Sequence, residues 1–198
     1  MNAFENWFCG SQMWRHITEK QLLPWIVSDC ALGEHVLEVG AGPGATTRAL
    51  RGKAKRVTSI ELDGRLADRF AERHKNAGAK IVQGDAAALP FAERTFSSVI
   101  AILMLHHMKS PDLQNHAFAE FYRVLQPGGM LLAFEIQDAW LHRIGHIRST
   151  FVPVAPRTVR RRLEATGFFG INVESRHGAY CLRALRRSES SEFPASRA

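Results

Sequence analysis

The stretch from Val36 to Gly44, which reads VLEVGAGPG, decides the fold of this 198-residue chain. Its first half is apolar and typical of a β-strand, and its second half carries glycine at every second position. Glycine lets the backbone turn tightly and keeps side chains away from a bound ligand. Because a helical pattern follows from Ala45, the stretch predicts a strand, a nucleotide-binding turn and a helix.

A carboxylate on the next strand narrows the range of possible ligands. The strand from Arg56 to Glu61 ends about 20 residues after the first glycine, where folds of this type place an acid on the ribose hydroxyls. The sequence therefore predicts a ligand that carries a ribose.

Two further acids indicate the charge of that ligand. Glu38 lies two residues before Gly40, and Asp85 follows the strand-like run from Ile81 to Gly84. A carboxylate this close to the turn repels a pyrophosphate and attracts a sulfonium that carries an amino group. A nicotinamide enzyme that uses the glycine turn and Ala45 as its fingerprint stays an alternative, but it has no recognisable Tyr-Lys pair for hydride transfer.

In this order, the motifs resemble those of the class I S-adenosylmethionine-dependent methyltransferases, roughly from Gly33 to Leu185. The resemblance rests on the glycine turn, Glu61, the Gly-Asp-Ala sequence that contains Asp85, the run from Phe96 to His107, and the run from Arg123 to Gly129.

The resemblance also implies roles for these residues. It places the glycine turn under the methionine part of S-adenosylmethionine, Glu61 on both ribose hydroxyls and Asp85 on the adenine amino group, with S-adenosylhomocysteine as the product. The cofactor-binding residues that it implies are Glu38, Gly40, Ala41, Gly42, Gly44, Glu61, Leu62, Asp85, Ala86, Ala101, Ile102 and Leu103.

The rest of the pattern predicts an α/β fold: a Rossmann-like, doubly wound sheet of seven strands, mostly parallel. Continuous apolar strands such as Ser98 to Leu103 alternate with amphipathic helices, which is typical of a parallel sheet covered on both faces. Two last strands, Ile171 to Ser175 and Ala179 to Ala184, are joined by a few residues and must form an antiparallel hairpin. We expect one domain over residues 1–187 and a disordered tail over 188–198.

The segment before the glycine turn, about residues 1–32, predicts a helical cap at the cofactor end of the sheet. Trp7, Trp14 and His16 could form a lid over the active site. The other possible role of the tryptophans is to anchor the core, and this is the role that we expect.

The pattern between the fourth and fifth strands predicts a helix that begins at Ser110-Pro111 and ends at Pro127-Gly128-Gly129. The fifth strand is expected from Met130 to Ile136. The residues expected on the buried face of this helix are Leu113, Ala117, Phe121, Val124 and Leu125.

Candidate catalytic residues follow the fourth strand, where open α/β sheets form their ligand crevice. His106 and His107 titrate near neutrality, so they suit proton transfer or acceptor binding, and packing beside the cofactor is the other role left open. Glu135 ends the fifth strand and Asp138 follows it on the same side. Orienting an amine or a hydroxyl is one role open to them, but we expect both to be solvated carboxylates.

The composition, 45% hydrophobic and 23% charged, is that of a globular protein. Because the sequence shows no signal peptide and no transmembrane run, we expect a cytoplasmic protein. The three cysteines lack zinc spacing, and the pair His142 and His146 lacks a third ligand, so we expect no metal site.

The net charge of +7 lies entirely in the last third, where eleven arginines face four glutamates from Ala139 onward. Arg157, Arg160, Arg161 and Arg162 crowd one predicted helix. They suit a patch for nucleic acid or an anionic membrane surface, but a solvated helix face is the interpretation we favour.

Two subfamilies are similar to different parts of the chain. The stretch from Val36 to Leu66 is similar to ribosomal RNA adenine dimethyltransferases, but the run Ile102 to His107 lacks the Asn-Leu-Pro-Tyr-like motif of those enzymes. The Leu-His-His run and Arg123 to Gly129 look like small-molecule methyltransferases, a group that includes quinone and phospholipid-amine enzymes.

We therefore expect methyl transfer to a small acceptor, and the apolar runs Trp140-Leu141 and Phe151 to Val154 suggest that it is lipophilic. RNA methylation through the basic last third is one alternative. A non-catalytic nucleotide-binding module is another, although such a module would be expected to lose Glu61 or Asp85.

Overall fold

The computed structural model describes residues 3–28, 30–74, 80–140, 143 and 149–188. Seven strands make up its sheet: β1 (His35–Val39), β2 (Arg56–Glu61), β3 (Lys80–Gln83), β4 (Phe96–Ile102), β5 (Leu125–Ile136), β6 (Phe169–Arg176) and β7 (Ala179–Leu185). Their order is β3-β2-β1-β4-β5-β7-β6. Strands β1 to β5 pair in parallel, whereas β7 is antiparallel to both of its neighbours. The predicted doubly wound sheet with a C-terminal hairpin is confirmed.

The helices bounded within the described residues are α1 (Ala3–Gly10), α2 (Gln12–Ile17), α3 (Leu23–Val27), α4 (Ala45–Leu50), α5 (Gly64–His74), α6 (Pro111–Val124) and α7 (Pro156–Thr166). A π-helical turn (Thr18–Leu22) joins α2 to α3, and a 3₁₀ turn (Leu105–His107) follows β4. None of the helices described is long and apolar enough to cross a membrane.

The two faces of the sheet bury separate apolar clusters, because successive strand residues point to opposite sides. On one face, Leu37 and Val99 pack with residues of α6 and α7. On the other face, Val36 and Ile100 pack with residues of α3. The helices cover the two faces of the sheet. The loops that carry the candidate site lie at its edge, where the carboxyl ends of β1 to β4 meet.

The end of α6 differs from the prediction. The helix stops at Val124, and β5 begins at Leu125, so Pro127-Gly128-Gly129 lies within the irregular start of the strand. The guanidinium of Arg186 donates to the carbonyls of Tyr122, Arg123 and Leu125 and so takes up the free acceptors at the helix end.

The buried face of α6 also differs from the prediction. Ala117, Phe121 and Val124 are buried as expected, but Leu113 is only half-buried, and Gln114 and Phe118 take its place.

The expectation that the tryptophans anchor the core is wrong for Trp7, which is 68% exposed on α1. Trp14 is half-buried and packs its ring 5.2 Å from that of Phe8. The turn between α1 and α2 instead approaches the glycine turn, because a Cβ added at Gly10 would lie 3.9 Å from Cβ of Pro43.

Candidate active site

The carboxyl ends of the parallel strands bring the glycine turn, Glu61 and Asp85 to one edge of the sheet. Oε2 of Glu61 accepts a hydrogen bond from the Gly42 amide at 2.8 Å, and Oε1 accepts from the Asp63 amide at 3.1 Å. The Gly84 amide donates to the Glu61 carbonyl at 3.0 Å and ties the end of β3 to that of β2. This edge is the ligand crevice of an open α/β sheet.

The glycine turn is held by left-handed backbone at Gly40 (φ +78°), Gly42 (φ +49°) and Gly44 (φ +85°). A Cβ added at Gly40 would lie 2.7 Å from Cβ of Met104, so this glycine is required by the close approach of the turn after β4. A Cβ at Gly42 would meet no atom within 4 Å. The turn therefore packs tightly against Met104 at Gly40 and leaves space for a ligand beside Gly42. The neighbouring Ala41 is buried.

Glu38 is buried on β1, with 2% of its surface exposed. Its Oε2 accepts hydrogen bonds from the Thr47 hydroxyl and from the Ser59 hydroxyl, the latter at 2.6 Å. Its Oε1 has no hydrogen-bond partner among the described residues. Burial raises the pKa of Glu38 to about 7, although the two hydroxyls oppose the shift. A buried carboxylate with an unmatched oxygen fits a ligand that brings positive charge.

Asp85 and its neighbours lie beside Glu61 at the end of β3. Asp85 is exposed, and its Oδ1 accepts a hydrogen bond from the Ala87 amide at 2.9 Å. Ala86 is buried, whereas Leu62 is 66% exposed directly after Glu61.

The end of β4 supplies Ala101, Ile102 and Leu103. Ala101 is fully buried and pairs with Val39, whereas Ile102 and Leu103 are half-buried. Leu103 has a φ of +53°, an uncommon backbone for a residue with a side chain, and its amide donates to the Phe134 carbonyl at 2.8 Å. The chain bends sharply at this point into the 3₁₀ turn.

The expectation that Glu135 is a solvated carboxylate is wrong, since its side chain is 0% exposed. Its Oε1 accepts from the Leu105 amide at 2.8 Å, and its Oε2 lies 2.5 Å from Nδ1 of His106, itself 2% exposed. Because β4 and β5 are neighbours in the sheet, His106, which follows β4, and Glu135, which lies near the end of β5, form a buried pair. Asp138 is 49% exposed, as expected, and pairs with Arg143.

His107 lies beside this pair and is half-buried. Its ring centroid is 4.2 Å from that of His106, and its Nδ1 is 3.2 Å from the carbonyl of Thr150. The ring of Phe151 makes an edge contact with His106 at 5.5 Å. Both histidines of the 3₁₀ turn therefore contact the segment that begins at residue 149.

The arginine cluster on α7 separates into two groups. Arg157, Arg160 and Arg161 are exposed, as a solvated helix face requires. The same expectation is wrong for Arg162, which is half-buried and lies 5.1 Å from the centre of the Phe118 ring. Its guanidinium donates to the side chains of Gln114 and Asn115 and to the Pro111 carbonyl.

His142 and His146 lie outside the described residues. Within the described part of the chain, no group of three or more His, Cys, Asp or Glu side chains is placed to hold a metal ion.

Residues 37–133 match the family model described as a methyltransferase domain, and this match includes the glycine turn, Glu61, Asp85 and the turn after β4. Residues 37–133 therefore form a methyltransferase domain.

Curated relatives of this methyltransferase differ in what their names say they methylate. Demethylmenaquinone methyltransferase of Tropheryma whipplei is 33% identical over 106 residues, which are 52% of this chain and 42% of the relative. Fatty-acid O-methyltransferase of Mycolicibacterium smegmatis is 35% identical over 102 residues, 50% of this chain and 36% of the relative. A protein of Natronomonas pharaonis named "Probable ribosomal RNA small subunit methyltransferase A" is 40% identical over 79 residues, 38% of this chain and 29% of the relative. The methyltransferase chain spans less than half of the length of these relatives.

Solved structures share the fold of this methyltransferase. PH0226 protein from Pyrococcus horikoshii has a TM-score of 0.80 at 18% identity, over 93% of this chain and 98% of that chain. N-methyltransferase NodS from Bradyrhizobium japonicum, solved with S-adenosylhomocysteine, has a TM-score of 0.68 at 24% identity, over 93% of this chain and 88% of that chain.

Proposed function

We propose that the protein binds S-adenosylmethionine at the glycine turn and transfers its methyl group to a small lipophilic acceptor. The residues that would hold the cofactor are Glu38, Gly40, Ala41, Gly42, Gly44, Glu61, Leu62, Asp85, Ala86, Ala101, Ile102 and Leu103. His106 and His107 are the proposed catalytic histidines.

One observation carries the cofactor proposal: three acids lie on adjacent strands at the edge of the sheet where the glycine turn has room for a ligand. Glu61 is bonded to the turn through the Gly42 amide, Asp85 lies at the end of the adjacent strand, and Glu38 keeps an unmatched oxygen. Carboxylates accept hydrogen bonds from hydroxyl and amino groups and attract cations, so this set fits a nucleoside that carries positive charge. A pyrophosphate would place negative charge beside Glu38.

S-adenosylmethionine, when bound, supplies an electrophilic methyl group on a sulfonium sulfur. The contribution of this chain is then to hold an acceptor in line with that methyl group and to exclude water. Well-oriented reactants gain roughly 7–11 kcal/mol of barrier from position alone.

Exposed apolar side chains support a lipophilic acceptor. Leu62 follows β2 at the crevice edge, and Trp140, which is 73% exposed, follows β5 at the same edge. Trp7 is exposed on α1, whose turn into α2 approaches Pro43. Exposed large apolar side chains near a crevice favour apolar ligands or partners.

RNA methylation is less well supported by the placement of the arginines. Arg160, Arg187 and Phe169 line a cleft of about 400 Å³. Phe169 begins β6, which runs parallel to β5, so this cleft lies at the edge of the sheet opposite the crevice. RNA phosphates bound there would hold the RNA away from the methyl group.

Calorimetric titration with S-adenosylhomocysteine tests the cofactor site. We expect micromolar binding to the wild type, loss of at least about tenfold in affinity in Glu61→Ala, and no binding of NAD. Glu34→Ala is the matched control, because Glu34 is exposed and precedes β1 at the opposite edge. Binding of NAD without S-adenosylhomocysteine would overturn the proposal.

Methyl transfer from radiolabelled S-adenosylmethionine tests the acceptor. A panel of a naphthol, a long-chain fatty acid, a sterol and an RNA oligonucleotide separates the candidates, and we expect label in the organic phase. Label in the RNA would favour the alternative, and binding of cofactor without transfer to any of the four would favour a non-catalytic module.

A further inference from the structure

A second cleft lies beside the glycine turn, between that turn and the helices α1, α2, α4 and α5, and has a volume of about 220 Å³. Gly10 lines it where α1 meets α2, Pro43 and Gly44 line it from the glycine turn, and three arginines complete it: Arg15 of α2, Arg48 of α4 and Arg73 of α5. We propose that this arginine cleft binds a phosphate monoester group, carried by a small soluble molecule or by a lipid head group.

The charges around the arginine cleft are all of one sign. No acidic residue lines it, and no carboxylate in the described part of the chain forms an ion pair with Arg15, Arg48 or Arg73. Other arginines, such as Arg123 and Arg176, do have carboxylate partners. A cleft lined by one sign of charge concentrates ions of the opposite sign, so this cleft attracts anions.

The hydrogen-bonding capacity of the three guanidinium groups favours phosphate among the common anions. Nε of Arg15 makes a long contact of 3.4 Å with the Ser11 carbonyl, and the side chains of Arg48 and Arg73 donate to no other described residue. A guanidinium group can donate two parallel hydrogen bonds to two phosphate oxygens. Three such cations match a phosphate monoester, with about two negative charges at pH 7, better than a carboxylate with one.

The volume of the arginine cleft limits the size of its ligand. Pockets that bury drug-sized ligands have volumes of roughly 300–1,000 Å³. The cleft, at about 220 Å³, is smaller. It therefore fits a phosphate group with a short organic stem, whereas a dinucleotide is too large for it.

The arginine cleft differs from the proposed cofactor site. The two share Gly44 of the glycine turn, but Gly42, Glu61 and Asp85 do not line the cleft. The amino-acid end of S-adenosylmethionine carries a carboxylate beside an amino group, so it offers no net negative charge to three arginines. We therefore expect the phosphate ligand and S-adenosylhomocysteine to bind at the same time.

The positions of the arginines in their helices are an incomplete explanation for the cleft. Arg15, Arg48 and Arg73 each lie in the last turn of a helix, where a cation interacts favourably with the helix dipole. This effect acts on each arginine separately and does not require all three to line one cleft. The cleft at the opposite edge of the sheet has a mixed lining, with Glu164 beside Arg160.

Calorimetric titration with glycerol 3-phosphate tests the site. The double variant Arg15→Gln/Arg48→Gln is expected to bind it at least about tenfold more weakly than the wild type, because charge-assisted hydrogen bonds are lost. The matched control is Arg157→Gln/Arg161→Gln, which makes the same charge change at exposed residues of α7 and is expected to bind like the wild type. Glycerate, which carries a carboxylate instead, is expected to bind the wild type at least about tenfold more weakly than glycerol 3-phosphate.

Sedimentation with vesicles distinguishes the two sources of the phosphate group. We would compare vesicles of phosphatidylcholine that contain phosphatidic acid with vesicles of phosphatidylcholine alone. Sedimentation with phosphatidic acid that is lost in Arg15→Gln/Arg48→Gln and kept in the control assigns the group to a lipid. Binding of glycerol 3-phosphate without such sedimentation assigns it to a soluble ester. Either result supports the site.

Four results would overturn the inference. They are no binding of glycerol 3-phosphate or of phosphatidic acid vesicles, equal binding by the wild type and Arg15→Gln/Arg48→Gln, an equal loss in the control, and exclusion of glycerol 3-phosphate by saturating S-adenosylhomocysteine. The last result would assign the cleft to the cofactor. Far-UV circular dichroism shows whether each variant is folded.

The two proposals can fail separately. The titration with glycerol 3-phosphate is made first on the protein without cofactor. If the wild type does not bind S-adenosylhomocysteine, the proposed function is contradicted, but this titration still decides on the arginine cleft. If S-adenosylhomocysteine binds and glycerol 3-phosphate and phosphatidic acid do not, this inference alone is contradicted.

Discussion

Glu38 and Glu135 are both buried carboxylates near the carboxyl ends of parallel strands, but the chain satisfies them differently. Both oxygens of Glu135 are bonded, one to an amide and one to an imidazole. Glu38 is bonded by hydroxyls through one oxygen only, and burial raises its pKa to about 7. The comparison indicates that the charge of Glu135 is compensated within the protein, and we propose that Glu38 receives its compensation from a ligand.

The largest expected effect comes from removing the compensated carboxylate. Glu135→Ala leaves the Leu105 amide and Nδ1 of His106 buried without their acceptor. We expect the free energy of unfolding in urea to fall by about 3–5 kcal/mol. Asp138→Ala, which removes an exposed carboxylate from the same segment, is the control and is expected to change it by less than about 1 kcal/mol. Equal losses of stability in Glu135→Ala and Asp138→Ala would contradict the claim that the protein compensates the charge of Glu135.

Gly40 connects the two regions, because Met104 of the turn that carries His106 packs against it. Gly40→Ala combines a left-handed backbone with a contact of 2.7 Å and is expected to destabilise the protein by about 2–4 kcal/mol. Gly128→Ala isolates the backbone part, since Gly128 has nearly the same φ, +77°, and no atom within 4 Å of an added Cβ. In thermal unfolding, the melting temperature of Gly40→Ala should be well below that of Gly128→Ala. Equal melting temperatures would show that Met104 moves aside without loss of stability.

Removing the uncompensated carboxylate is expected to have the opposite sign. The pKa of Glu38 is raised in the folded state, so folding binds a proton that the unfolded chain has lost, and stability falls as pH rises from about 4.5 to about 7. Glu38→Gln removes this loss of stability and should raise the free energy of unfolding by about 3 kcal/mol at pH 8. At pH 4.5 the two proteins should unfold alike. A less stable variant at pH 8 would contradict the account.

The smallest effects are expected at the arginines of α7. Arg162→Ala loses three hydrogen bonds and should cost about 1–3 kcal/mol in urea unfolding. Arg160→Ala should stay within about 0.5 kcal/mol and should leave the affinity for S-adenosylhomocysteine unchanged. A marked loss of cofactor affinity in Arg160→Ala would show that the arginines of α7 act on the crevice. It would contradict the conclusion that the two lie at opposite edges of the sheet.

The predictable parts of the molecule were those set by local sequence. The strand before Gly40, the glycine turn and the hairpin around Gly178 follow from alternation and turn residues a few positions apart. The acids Glu61 and Asp85 fall at one edge because parallel strands align their carboxyl ends.

The parts that sequence did not predict depend on contacts between distant positions. The end of α6 is set by Arg186, more than sixty residues away. The burial of Glu135 depends on the pairing of β5 with β4 and on the contact with the turn after β4, which no local pattern encodes. Trp7 is exposed because α1 covers the edge rather than the core. The order of the strands was the available signal for the His106–Glu135 pair, since it places the ends of β4 and β5 side by side.

The most direct test of the central claim is a count of the protons released when S-adenosylmethionine binds at pH 7. Titration calorimetry in phosphate and in Tris, which differ in ionisation enthalpy, gives that number. If a cationic ligand compensates Glu38, the wild type should release about half a proton for each cofactor bound, and Glu38→Gln should release almost none. Binding without proton release, or with equal release in the two proteins, would contradict the account.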